Sequence, residues 1–297
     1  MPAETASQPQ PLRVVLDTDT FNEVDDQFAL AHLCLSPDRV ALEAVYAAPF
    51  FNTRSTGPAD GMEKSFQEIH RVLGLLGEET AGRVFRGATS YIGGAGHPVE
   101  SDAAHDLVAR ALDDTAPGPL HVVGIAAATN LASALLLAPE IAPRVRVTWL
   151  GGHPLAWPTA REFNLKQDAR AAQILLDSGA PLTLIPCKNV AEHLRATLPE
   201  LRESLPATGR IRPFLLERFA DYLARKSLAS KPLWDVAASA FLVNPAWLSR
   251  ETVPSPRLTA DLRWETAPGP RHAIQVATDV DRDTILTDLW RKLAAAP

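Results

Sequence analysis

Short apolar, β-branched runs alternate with segments of helical period along almost the whole chain, and this alternation restricts the fold more than any other feature. It builds a mainly parallel sheet, because strands that run the same way are joined by crossovers, usually helices. Strand patterns lie at residues 13–16, 40–46, 120–124, 145–150 and 182–186, with a late one at 272–277. Helical patterns lie at 26–35, 62–76, 101–113, 130–137, 168–177, 212–225, 232–243 and 281–293. Residues 257–265 read as a further strand outside the parallel set. The expected class is α/β: an open, mainly parallel, doubly wound (Rossmann-like) sheet flanked by helices. No internal repeat interrupts it, and the Pro/Gly-rich stretches are loop-length. Residues 12–297 therefore read as a single domain. Residues 1–11, rich in Pro, Gln and Ala and lacking the apolar stretch of a signal peptide, read as a disordered tail.

Five acidic residues crowd the first strand-to-helix turn: Asp17, Asp19, Glu23, Asp25 and Asp26. Open α/β sheets bind their ligands at such turns. Carboxylates this close repel one another and stay ionised together only with water or a positive charge among them. The turn therefore points to a hard cation with oxygen ligands, Ca²⁺ or Mg²⁺. Helix capping accounts for Asp25 or Asp26 taken singly, but for neither Asp17 nor Asp19.

Composition narrows the partners. With 297 residues, 46% of them hydrophobic, the chain can bury a substantial core. A formal net charge of −6 and the lack of any Lys/Arg-rich stretch argue against nucleic acid. No apolar run is long enough to span a membrane. The two cysteines, Cys34 and Cys187, lie in apolar surroundings and read as free thiols of a reducing compartment, so the expected location is cytoplasmic. A strand ending in D-x-D also opens the dehalogenase-like phosphatases, but Phe21 stands where that family expects Thr or Val.

Four segments, taken in order, resemble the nucleoside hydrolase family, the Ca²⁺-dependent N-ribohydrolases of inosine-uridine-preferring type. The family motif D-x-D-x-G-x-D-D is similar to the run from Asp17 to Asp26, which carries two extra residues and has Phe21-Asn22-Glu23 in place of the Gly turn. G-I-A-A-A-T-N-L-A at 124–132 resembles the family's L-T-N-x-A turn. L-G-G-H-P…R-E-F-N…D-A-R-A-A at 150–172 resembles its M-G-G…E-F-N…D-P-E-A-A segment. L-W-D-V-A-A at 233–238 resembles its H-D-x-x-A helix start. Residues 279–283 fit its C-terminal segment. The likeness covers nearly the whole chain.

The resemblance implies the nucleoside hydrolase fold and a Ca²⁺ site made by Asp19, Asp26, Asp235 and the carbonyl of Thr129. It implies that Asp19 is also the base that activates water, that Asp25 holds a ribose hydroxyl, and that Glu162 and Asn164 bind the sugar. Asp17 is expected to act from behind these groups, Asn130 to support the turn, Asp168 to cap a helix and Phe163 to lie in the core. The substrate is expected to be a small nucleoside-like molecule and the assembly a homo-oligomer, a dimer or tetramer. Three departures stand out. The Asn that usually precedes E-F-N is missing, and Asn52 is the candidate replacement. Trp234 stands where relatives carry a His that helps the base leave, which turns attention to His153 and Arg161. Trp157, Trp234 and Phe50 are candidates to stack on a purine. Such changes at the base end also suit a protein of the same fold that binds a nucleoside without hydrolysing it efficiently.

Overall fold

A computed structural model describes residues 10–94, 96–206, 208–265 and 269–297. Residues 1–9 of the expected tail lie outside these. The first half of the chain runs β1 (Leu12–Thr18), α1 (Asp25–Cys34), β2 (Val40–Ala47), α2 (Pro58–Leu76), β3 (Val84–Arg86), α3 (Asp102–Ala111), β4 (Leu120–Gly124), α4 (Thr129–Leu137) and β5 (Val145–Leu150). It continues through α5 (Phe163–Gln167), α6 (Ala169–Asp177), β6 (Leu182–Ile185), β7 (Arg195–Thr197), α7 (Leu198–Ser204), α8 (Ile211–Lys226), β8 (Ser230–Pro232) and α9 (Val236–Val243). The last elements are β9 (Leu248–Pro254), β10 (Arg257–Leu258), β11 (Trp264–Glu265), β12 (Ala273–Val280) and α10 (Arg282–Ala294).

Eight strands form the central sheet in the order β3-β2-β1-β4-β5-β6-β12-β9. All neighbours are parallel except β12 and β9. The inner strands read as continuous apolar runs because both of their faces are covered. In β1, Val14 and Leu16 enter the core on one side, with α1, α2, α8, α9 and α10, while Val15 enters the core on the other, with α3, α4 and α6. Helix α1 is buried from Asp25 to Leu33. Its Phe28 meets Phe219 and Trp290 edge to face, with ring centres 6.3 and 6.0 Å apart.

Strand order decides where a ligand can sit. The chain leaves β1 for β2 and β3 on one side, then returns to place β4 on the other. The two connections diverge at the C-terminal ends of β1 and β4, which opens a crevice there. Asp17 is paired with Gly124 and Thr18 with Ala47 at this point, so the acidic turn emerges into the crevice.

The expected α/β class and mainly parallel sheet are present, with several local differences. The segment 257–265 forms two short strands, β10 and β11, paired antiparallel with each other. The helix expected from 232 starts at Val236, because Lys231 and Pro232 belong to β8, which pairs with β7. Strand β9 was not expected: it is a mostly exposed edge strand and lacks a clear apolar alternation.

Candidate active site

A cavity of about 300 Å³ lies in the crevice. Its walls include Asp19, Asp25, Asp26, His153, Glu162, Asn164, Trp234 and Asp235. These come from the β1–α1 turn, the segment between β5 and α5, the start of α5 and the turn before α9. Of the other expected site residues, Asp17, Asn52, Thr129 and Trp157 do not line it.

Oxygens of Asp25, Asp26 and Asp235 lie within 4.8 Å of one another, and all three residues are buried. Neither Asp25 nor Asp26 caps α1, whose N-cap is Val24, and Asp235 makes no side-chain capping bond to α9. Asp19 flanks this set and accepts from Asn22 Nδ2 at 3.1 Å. Burial, then repulsion from Asp26, Asp25 and Glu23, holds Asp19 well above the usual carboxylate range. Asp235 is raised in the same way, by burial and then by Asp25, Asp26 and Asp19. Asp26 is pushed up to about 7 by burial and Asp25, although it accepts from Thr18 Oγ1 at 2.5 Å. Unbalanced negative charge of this kind, in oxygen donors alone, fits a hard divalent cation.

Among the described residues, the cation inserted between these acids is Lys231, which was not singled out from the sequence. Its side chain is 1% exposed. The ammonium donates to Glu23 Oε2 at 2.7 Å and to the Pro232 carbonyl at 3.1 Å. It also forms an ion pair with Asp25 Oδ1 at 2.8 Å, off hydrogen-bond alignment. Burial alone would lower the lysine's pKa, but Asp25 and Glu23 reverse this and hold it above the ordinary range. A lysine four positions before Asp235 was the available signal.

Behind the cavity, Asp17 accepts from Asn130 Nδ2 at 2.8 Å, and burial lifts its carboxyl to about 7. Asn130 accepts from the Ala88 amide at 2.7 Å and donates to the Ala47 carbonyl at 3.3 Å, tying α4 to the ends of β1 and β2. A Cβ at Gly87 would meet the Ala47 carbonyl oxygen at 2.1 Å and Asn130 Nδ2 at 2.4 Å, so this clamp closes only over glycine. Thr129, the expected carbonyl ligand, does not line the cavity. It opens α4, so its carbonyl runs along the helix toward residue 133, and its hydroxyl donates to Asp168 Oδ2 at 2.8 Å. Ile125, just past β4, lines the cavity instead. Asn52 also stands back: its Nδ2 donates to Asn22 Oδ1 at 2.5 Å, so it reaches Asp19 only through Asn22.

Glu162 and Asn164 are buried in the wall rather than solvated. Glu162 is the N-cap of α5, accepting from the Asn164 and Leu165 amides at 2.9 and 3.1 Å, and it also accepts from the Gly152 amide at 3.0 Å. Asn164 Nδ2 donates to the Leu150 carbonyl at 3.1 Å. Asp168 caps α6 through the Ala171 amide at 3.0 Å.

Much of the remaining lining is aromatic and basic. His153 contributes a buried Nδ1 that has no hydrogen-bond partner among the described residues. Trp157 packs against His153, ring centres 5.2 Å apart, and does not itself line the cavity. The Lys188 ammonium lies 5.3 Å from the Trp234 ring centre. Arg161, Cys187 and Phe163 complete this wall, so Phe163 belongs to the cavity as well. Phe50 is fully buried and belongs to the core.

Comparison with known proteins places these features in a family. The model described as inosine-uridine preferring nucleoside hydrolase matches residues 14–287. The pyrimidine-specific ribonucleoside hydrolase RihA of Citrobacter koseri is 25% identical over 299 residues, 86% of this chain and 94% of that protein. RihA of Salmonella paratyphi B is 28% identical over 153 residues, so the match spans about half, 49%, of each chain. Among solved structures, the purine-preferring ribonucleoside hydrolase from Gardnerella vaginalis has the same fold. Its TM-score is 0.70 at 22% identity, over 96% of this chain and 98% of that one.

Proposed function

The chain belongs to the inosine-uridine preferring nucleoside hydrolase family, and we propose that it hydrolyses the N-glycosidic bond of a ribonucleoside with Ca²⁺ held at the acidic end of the cavity. One observation carries this reading: Asp19, Asp25 and Asp26 of the first strand-to-helix turn and the distant Asp235 line one cavity at the point where the strand order reverses. The donor set fits the ion. Asp19, Asp26 and Asp235 would hold it, and the position of Ile125 favours its carbonyl over that of Thr129 as the backbone ligand. Bound there, Ca²⁺ would polarise the attacking water and help orient the ribose.

The protein's own groups carry the remaining steps. Asp19 takes the proton of the water that attacks the anomeric carbon, a contribution of typically ~10²–10⁴ in rate. The bond to the base breaks with its electron pair leaving on the base nitrogen, through an oxocarbenium-like transition state, as in other glycoside hydrolyses. The surrounding carboxylates favour the positive charge that develops on the sugar. Asp25, fixed by Lys231, orients a ribose hydroxyl. Glu162 and Asn164 wall the sugar. Lys188, His153 and Trp234 face the base. A homo-oligomer in a reducing compartment belongs to the same reading; its support is the family and two free cysteines.

Release of free base from inosine, adenosine, guanosine, uridine and cytidine by the full chain tests the proposal. Nucleoside binding without release from any of them would favour the binding-protein alternative.

A further inference from the structure

We infer that Lys231 is a built-in counter-ion of the acidic cavity, competing with the bound metal for the negative charge of Asp25 and thereby weakening metal binding. The inference rests on the metal reading above. Three observations carry it. The ammonium is buried and touches two carboxylates, Glu23 and Asp25, at 2.7 and 2.8 Å. One of these, Asp25, has an oxygen within 4.8 Å of oxygens of Asp26 and Asp235, two of the residues that would hold the ion, so its negative charge acts on the cation as well as on the ammonium. The lysine is also held in place. Its backbone pairs with Ala196 across β7 and β8, and its ammonium lies 4.9 Å from the Tyr222 ring centre. Tyr222 in turn donates to Glu23 Oε1 at 3.1 Å. Glu23 itself sits in the part of the acidic loop that is longer than the family motif.

Two physical consequences follow. A buried carboxylate cluster without a positive charge resists folding in the absence of metal, and a fixed ammonium relieves this. The same ammonium repels an incoming divalent ion and occupies Asp25 Oδ1, so affinity for the ion falls.

The experiment is Ca²⁺ titration by calorimetry on the full chain, with melting temperatures in EDTA and in excess Ca²⁺, for wild type and Lys231→Met. The expected result is Ca²⁺ binding at least tenfold tighter in Lys231→Met, with a larger Ca²⁺-induced rise in melting temperature. Lys231→Arg should return both to wild-type values. A purely structural role predicts the opposite sign, because a disordered site binds metal less well. Should Lys231→Met fail to fold, Lys231→Gln, which keeps a donor for Asp25 without the charge, is read by the same criterion. Equal or weaker binding by the folded variant overturns the inference while leaving the metal site standing. Absence of Ca²⁺ binding by wild type overturns both.

Discussion

Asp17 and Asp19 stand two positions apart, yet their surroundings assign them different work. Asp19 lines the cavity with Asn22 as a hydrogen-bond donor, whereas Asp17 lies behind it, bound to Asn130. Asp19→Asn keeps an oxygen for the metal and removes the base. It should lower kcat by roughly 10²–10⁴ with little change in melting temperature, and Asp17→Asn should do less. Steady-state kinetics that show the reverse order would exchange the two roles. At the base end, Trp234 stands where the family motif carries a His, and uracil offers no easily protonated ring nitrogen. Purine nucleosides, protonated at N7 and stacked on Trp234, should therefore be cleaved faster than uridine. Trp234→Ala should remove that advantage, while Trp157→Ala should act only weakly, through His153. Uridine cleaved as fast as inosine by wild type would refute this account of the base end. Among single residues, the acids were legible because like charges in one turn demand an explanation. Lys231 was not, because only the folded chain shows that β8 carries it from 208 positions away to Glu23.

At the scale of elements, the site depends on how α1, α9 and α10 are held together. His32 near the end of α1 joins all three: Nδ1 meets Ser239 Oγ of α9 at 3.0 Å and Nε2 meets Asp288 Oδ2 of α10 at 3.0 Å. Helix α1 begins with Asp25 and Asp26, and α9 follows Asp235. Burial holds the His32 imidazole below its ordinary pKa of 6.5, with Asp288 opposing. Below about pH 6.5 the unfolded chain therefore takes up a proton that the folded chain refuses. The stability from neutral His32 is complete above that pH and is lost as the pH falls through the lowered folded value. Melting temperatures at pH 7.5 and 5.5 should drop more for wild type than for His32→Asn, and parallel drops would show that His32 does not titrate in this window. The inner strands were legible because burial on both faces demands unbroken apolar runs. Residues 257–265 read as strand without the turn that splits them into β10 and β11. The edge strand β9 and the short pair β7 and β8 were not legible, because their pairing depends on neighbours distant in sequence.

For the whole molecule, the alternation of elements announced a parallel sheet but not its order. The return of β4 to the far side of β1 is a property of the connections, and it is what turns an acidic loop into one wall of a cavity. Asp235 and Glu162 reach that cavity from more than a hundred residues away, so their meeting with Asp19 became visible only in the fold. Both levels meet in the proposal that the acids brought together by the sheet hold a metal that the hydrolysis requires. It is tested most directly by following base release from inosine through one cycle of metal removal and return. Hypoxanthine and ribose should appear in equal amounts, EDTA should stop their release, and added Ca²⁺ should restore it. Release that continues unchanged in the metal-free protein would contradict it.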